Sequence, residues 1–106
     1  MSDPWEYSIV DLMQLVVSER AGTLRCRTGE PPALLSGGEE QTVEGPELTT
    51  ENAGAMLQTL AGARRMRELW KNGAVEFEYD FRRLARFKVR ASQTGEDIEF
   101  DLNMMG

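Results

Sequence analysis

Val75-Glu76-Phe77-Glu78-Tyr79-Asp80-Phe81, Ala85-Arg86-Phe87-Lys88-Val89-Arg90-Ala91 and Asp97-Ile98-Glu99-Phe100-Asp101-Leu102 read as three β-strands in a row. Each alternates apolar with charged residues, and a period of two sends successive side chains to opposite faces. Val75, Phe77, Tyr79, Phe81, Ala85, Phe87, Val89, Ile98, Phe100 and Leu102 can therefore share one buried face. The other face carries an acidic, a basic and another acidic strand. Folded as an antiparallel meander, these strands are expected to give Arg86, Lys88 and Arg90 carboxylates on both sides. Each exposed pair is worth only about 0.2–1 kcal/mol. A one-residue slip, however, would turn the aromatic row into water, so the pattern sets the register. The basic strand then reads as half of a charge-matched sheet face rather than as a nucleic-acid patch.

Upstream, Asp3-Pro4-Trp5-Glu6 has the signature of a helix start, with Asp3 as cap and Pro4 at the first helical position. Trp5, Ile9, Leu12, Met13, Val16 and Val17 continue at helical spacing as a core-facing stripe. Ala21-Gly22 ends it, with Gly22 suited to a left-handed cap. Thr23 to Thr28 reads as a short strand and Ala33-Leu34-Leu35-Ser36 as a second, separated by Gly29-Glu30-Pro31-Pro32. Gly37-Gly38 is a hairpin turn, and the polar run after it has room for a brief strand around Gln41–Val43. Thr49 caps a second helix after a Leu48 staple, with Met56, Leu57 and Leu60 inward. Gly62 interrupts it, and Ala63 to Lys71 resumes with Met66, Leu69 and Trp70 as apolar positions. Asn72-Gly73 stops it before the meander. The expected fold is α+β: an antiparallel sheet with a three-stranded C-terminal meander, packed against an N-terminal helix and a central helix pair.

With 106 residues, residues 1–106 make one domain, large enough to bury about two-thirds of its unfolded surface. No apolar run approaches the ~20 residues of a membrane span and no basic leader opens the chain, so no membrane insertion and a cytoplasmic location are expected. A net charge of -6 works against nucleic acid and anionic membranes as partners. There is no histidine, which removes Ser-His-Asp and Cys-His catalysis and the commonest metal ligand. Cys26 is the sole cysteine, in an alternating stretch that reads as a buried strand thiol. The paired acids Glu39-Glu40 and Glu96-Asp97 are expected in solvated turns, where general-acid work is not expected of them. Gly37-Gly38 lacks the lysine-serine pair of a phosphate loop. No cofactor, no metal site and no enzymatic activity are expected.

In this order, the phrases resemble the N-terminal domain of type IV pilus retraction ATPases of the PilT type, within the type II/IV secretion ATPase superfamily. Gly29-Glu30-Pro31-Pro32 resembles that family's Gly-x-Pro-Pro, and Leu48-Thr49-Thr50-Glu51 its Leu-Thr-x-Glu helix start. Gly73-Ala74-Val75-Glu76-Phe77-Glu78-Tyr79 is similar to Gly-x-x-Asp-Phe-Ser-Tyr, and Ala85-Arg86-Phe87-Lys88-Val89-Arg90 to Ala-Arg-Phe-Arg-Val-Asn. The resemblance implies a PAS-like domain that precedes a RecA-like ATPase domain and packs on a neighbouring subunit. It also implies nucleotide communication through basic residues, of which Arg86 and Lys88 keep two. Other positions depart: Asp101 stands where the family has arginine, Gly22-Thr23-Leu24-Arg25 replaces Ser-Asp-Leu-His, and Arg82-Arg83 replaces a Pro-Gly turn. No Walker motif is present. With these departures, a stand-alone, non-catalytic relative is expected that binds protein, either a PilT-type ATPase or itself; the basic cluster Arg64, Arg65 and Arg67 reads as a docking surface, and Arg86, Lys88 and Arg90 are its further candidate positions. A small-ligand sensor with a PAS-like pocket, or the excised first domain of a full ATPase, are the alternatives.

Overall fold

The C-terminal third of the chain folds as the expected meander, and the rest of the sheet is built onto its last strand. A computed structural model describes residues 7–105. Its elements are α1 (Ile9–Glu19), β1 (Thr23–Arg27), β2 (Ala33–Ser36), β3 (Glu39–Thr42), α2 (Thr50–Asn72), β4 (Ala74–Phe81), β5 (Ala85–Thr94) and β6 (Asp97–Met105). The six strands form one sheet in the order β3-β2-β1-β6-β5-β4, with every neighbouring pair antiparallel. The α+β class and the meander are as expected from the alternation.

One face of the sheet is covered and the other is open. Leu24, Cys26, Phe77, Phe81, Phe87, Val89, Ile98, Phe100 and Leu102 are buried beneath the helices, as are Leu12, Met13 and Val16 of α1 and Met56, Leu57, Leu60, Met66 and Leu69 of α2. Phe87 and Phe100 are among the largest fully buried side chains, each contributing about 1.5–3 kcal/mol by leaving water.

Among the described residues, α1 begins at Ile9, and Tyr7 and Ser8 are not helical. Its cap is Ser8, whose Oγ accepts from Asp11 N at 3.4 Å, and the expected start at Asp3-Pro4-Trp5-Glu6 lies outside the described residues. A tether just upstream of α1 keeps Tyr7 out of it. Asn52 accepts from Tyr7 N at 2.8 Å and donates Nδ2–H to Tyr7 O at 3.1 Å, so both backbone groups of Tyr7 are committed to α2 instead of a helical turn.

The other end of α1 also differs. Arg20, not Gly22, takes the left-handed cap at φ 55°. Arg20 N donates to Val17 O and Ala21 N to Val16 O, the paired bonds of a Schellman ending, and Ala21 is buried as that motif's apolar contact. Gly22 is already in the sheet: its N donates to Leu35 O at 3.1 Å, while its O accepts from Met104 N at 2.8 Å.

In α2 the Thr49 cap and the interruption are where the sequence places them. Thr49 Oγ1 accepts from Asn52 N at 3.0 Å, and Gly62 leaves the helical region at φ 77°, ψ 167°. β3 runs Glu39–Thr42, two residues earlier than expected, because the tight Gly37-Gly38 turn pairs Ser36 directly with Glu39.

Candidate interaction site

The six cations expected to form a partner surface fall into two sets on opposite sides of the sheet. Arg86, Lys88 and Arg90 alternate with buried Phe87 and Val89, so they lie on the open face. Arg64, Arg65 and Arg67 sit on the second half of α2, which covers the other face. No single patch contains all six.

On the open face, β4 supplies the partners. Glu76 stands opposite Arg90, Glu78 opposite Lys88 and Asp80 opposite Arg86. Arg86 Nε is 2.7 Å from Asp80 Oδ1, and Glu76 receives both Lys88 Nζ at 3.0 Å and Arg90 Nε at 3.1 Å. The β6 side corrects the expectation of carboxylates on both flanks. There Arg86 faces Met105, Lys88 faces Asn103, and only Arg90 faces an acid, Asp101. The Thr94↔Asp97 pairing beside the Gly95-Glu96 turn fixes this register and puts Glu99 opposite Ser92. Glu99 serves β1 instead, with Arg27 Nε at 3.1 Å, and Arg25 pairs with Glu40 of β3. The charge ladder therefore extends into the strands of the N-terminal half.

These contacts shift the carboxyl groups in opposite directions. The hydrogen bond from Lys88, with the charges of Lys88 and Arg90, holds Glu76 below the ordinary carboxylate range. Burial pushes Asp101 up; the hydrogen bond from Asn103 Nδ2 and the charge of Arg90 oppose that only partly. Arg86 is held above its usual value by Asp80. Burial pushes the Cys26 thiol up to about 12, which leaves it protonated and unreactive in the folded chain.

On the helix side the geometry is different. Arg65 lies over the Phe77 ring, 4.7 Å from its centroid, a cation–π contact that ties α2 to β4. Arg64 is 3.8 Å from Glu68 across one helical turn and its side chain is almost fully exposed. Arg64, Arg67 and Lys71 follow one another along a single stripe at helical spacing, and Trp70 flanks it three residues after Arg67. Trp70 is 58% exposed, a correction to its expected inward position. Met66 and Leu69 fill the direction of the sheet; Trp70 is turned about 100° from Leu69. It lies in the last turn, with Gly73 ending the helix before another turn could cover it. An exposed tryptophan among arginines has the composition of an interface hot spot. Its exposure is not legible from spacing, since i+4 from Met66 is nominally an inward position.

The fold so defined is that of the N-terminal domains of the ATPases DotB and PilT. Among solved structures the chain is similar to the Legionella pneumophila ATPase DotB (20% identity, 100% of this chain, 31% of that chain, TM-score 0.82). It is similar also to the pilus retraction motor PilT with bound ADP (19% identity, 95% of this chain, 30% of that chain, TM-score 0.84). The Yersinia pseudotuberculosis ATPase DotB aligns at 12% identity over 100% of this chain and 34% of that chain, with a TM-score of 0.71. The chain thus spans about a third of the length of these ATPases. No protein-family model matches it, and no curated protein matches it in sequence. No helix among the described residues is long and apolar enough to cross a membrane.

Proposed function

We propose that this chain is a non-catalytic protein-interaction domain acting in or on a motor of the type IV pilus or type II secretion class, in the cytoplasm. The observation that carries the reading is the match of 95–100% of the chain to about a third of such ATPases, at TM-scores of 0.82 and 0.84. Fold alone does not assign function, so the surface must supply the rest. Arg67 and Trp70 are the exposed positions offered to a partner, with Lys71 beside them and Arg64 held only by its long, exposed contact to Glu68. Arg86, Lys88 and Arg90 hold their own carboxylates and contribute only where a partner's acid replaces Asp80 or Glu76. Asp101, at the family's arginine position, supports a role that does not involve nucleotide: a buried-leaning carboxylate there repels a phosphate.

The test is to isolate the tagged chain from its own cell and identify what stays bound. A PilT-type ATPase recovered with the native chain, and lost with Arg67→Glu at unchanged circular dichroism, is the expected result. Recovery of no such ATPase, in a preparation where the chain is folded, would remove the motor link.

A further inference from the structure

Two features at opposite edges of the sheet are complementary to each other. The first is the β4–β5 turn. Leu84 N donates to Phe81 O at 2.7 Å, and the two residues between, Arg82 and Arg83, take φ 47° and 60°. That turn geometry favours Asn-Gly and disfavours two arginines. Strain held at a surface turn is a pointer to use. Among the described residues neither arginine has an ion-pair partner; Arg82 rests over the Phe81 ring at 5.4 Å. Leu84, the third loop residue, stands out at 56% exposed.

The second feature is a groove of about 330 Å³ between the start of α1 and the end of β3. Leu12, Leu15 and Val43 give it an apolar wall, and the carboxylates of Asp11 and Glu44 stand on its rim. It is large enough for a leucine side chain, and its charge is opposite to that of the turn.

We propose that the β4–β5 turn of one copy docks in this groove of a second copy, with Leu84 against Leu15 and Val43 and Arg82 and Arg83 at Asp11 and Glu44. β3 and β4 are the outermost strands of six, so the two surfaces are separated by about 24 Å, five inter-strand spacings. One copy can use both at once, which makes the contact heterologous and head-to-tail. Direct pairing of edge strands is the competing route. It is disfavoured because both edges present acids, Glu40 on β3 and Glu76, Glu78 and Asp80 on β4. The proposal does not rest on the motor reading.

Sedimentation velocity of the purified chain tests it, with two variants. Arg82→Asn/Arg83→Gly/Leu84→Ser removes the projection and improves the turn; Asp11→Lys/Glu44→Lys reverses the rim. The native chain is expected to associate as its concentration rises toward ~1 mM, the range of a small contact, and to dissociate in high salt. Each variant alone stays monomeric, and the turn variant melts at a higher temperature than the native chain. Mixed in equal amounts, the two variants form a 1:1 dimer and nothing larger, since one retains the groove and the other the turn. A native chain monomeric throughout, association that survives in the turn variant, or a mixture that stays monomeric would each overturn the proposal.

Discussion

Asn52 grips Tyr7 by both backbone groups, at 2.8 and 3.1 Å, across 45 residues of sequence. It is the one buried polar residue among those described, and it joins the entry to α1 to the first turn of α2. Asn52→Ala leaves a part-buried N–H and C=O unpaired, which costs about 1–3 kcal/mol. Urea denaturation should show a lower midpoint at an unchanged slope, the product of slope and shift giving that loss. Asn52→Asp keeps the acceptor for Tyr7 N but sets a second, ionisable oxygen against Tyr7 O in a buried position, so at neutral pH it should cost no less than alanine.

Gly62 gives a prediction whose sign separates two structures. In an uninterrupted helix, Gly→Ala would stabilise by about 1 kcal/mol. Here Gly62 stands at φ 77°, ψ 167°, a region open essentially to glycine alone, so alanine, with space for its Cβ, still meets a backbone penalty of about 1–3 kcal/mol. Gly62→Ala should therefore lower the thermal midpoint; a rise would mean that α2 is continuous.

Cys26 is fully buried with its thiol pushed up to about 12. A thiol reagent should label it only through unfolding, with a rate that rises with urea as the unfolded population does. Labelling of the native chain at the rate of a free thiol would place Cys26 outside the core.

Acid should act on two carboxyl groups in opposite senses. The folded value of Glu76 is depressed, chiefly by Lys88, so its stabilising effect is present above its unfolded value and is lost as pH falls through the folded one. The folded value of Asp101 is raised, chiefly by burial, so ionised Asp101 disfavours the fold at neutral pH, and protonation on descent relieves this. Glu76→Gln should flatten the acid limb of the stability profile. Asp101→Asn should leave neutral stability unchanged or raise it, because an amide oxygen still accepts from Asn103 Nδ2. Denaturation midpoints of the three proteins across the carboxylate range check both signs.

Where a local rule agreed with the packing, the fold could be read from the residues. The alternation of β4, β5 and β6 names the buried face, and Thr49 and Gly62 mark α2's cap and break because each acts on its own turn. The misses arose where a distant contact outweighed a local preference. The expected continuation of α1 through Tyr7 and Ser8 gives way to a start at Ile9 with Ser8 as cap, after a residue tethered by Asn52. Gly22 looks like a cap, but Leu35 and Met104 draw it into the sheet. Of the candidate site, the identity of the exposed cations was legible and their division between two faces was not. Strand alternation puts Arg86, Lys88 and Arg90 on one face, but only the docking of α2 shows that Arg64 and Arg67 lie across the sheet from them. The resemblance puts Arg82-Arg83 at a Pro-Gly turn, but no pattern announces that both arginines take positive φ there.

Binding of a motor through the second half of α2, as proposed, is decided by a titration. The isotope-labelled chain is titrated with a purified PilT-type ATPase from its own cell and followed by amide resonances. Micromolar binding that broadens residues 64–71, and that weakens at least about tenfold (1.4 kcal/mol) with Trp70→Ala at unchanged fold, is what the account predicts. No broadening at tens of micromolar, or binding indifferent to both Trp70→Ala and Arg67→Glu, would contradict it.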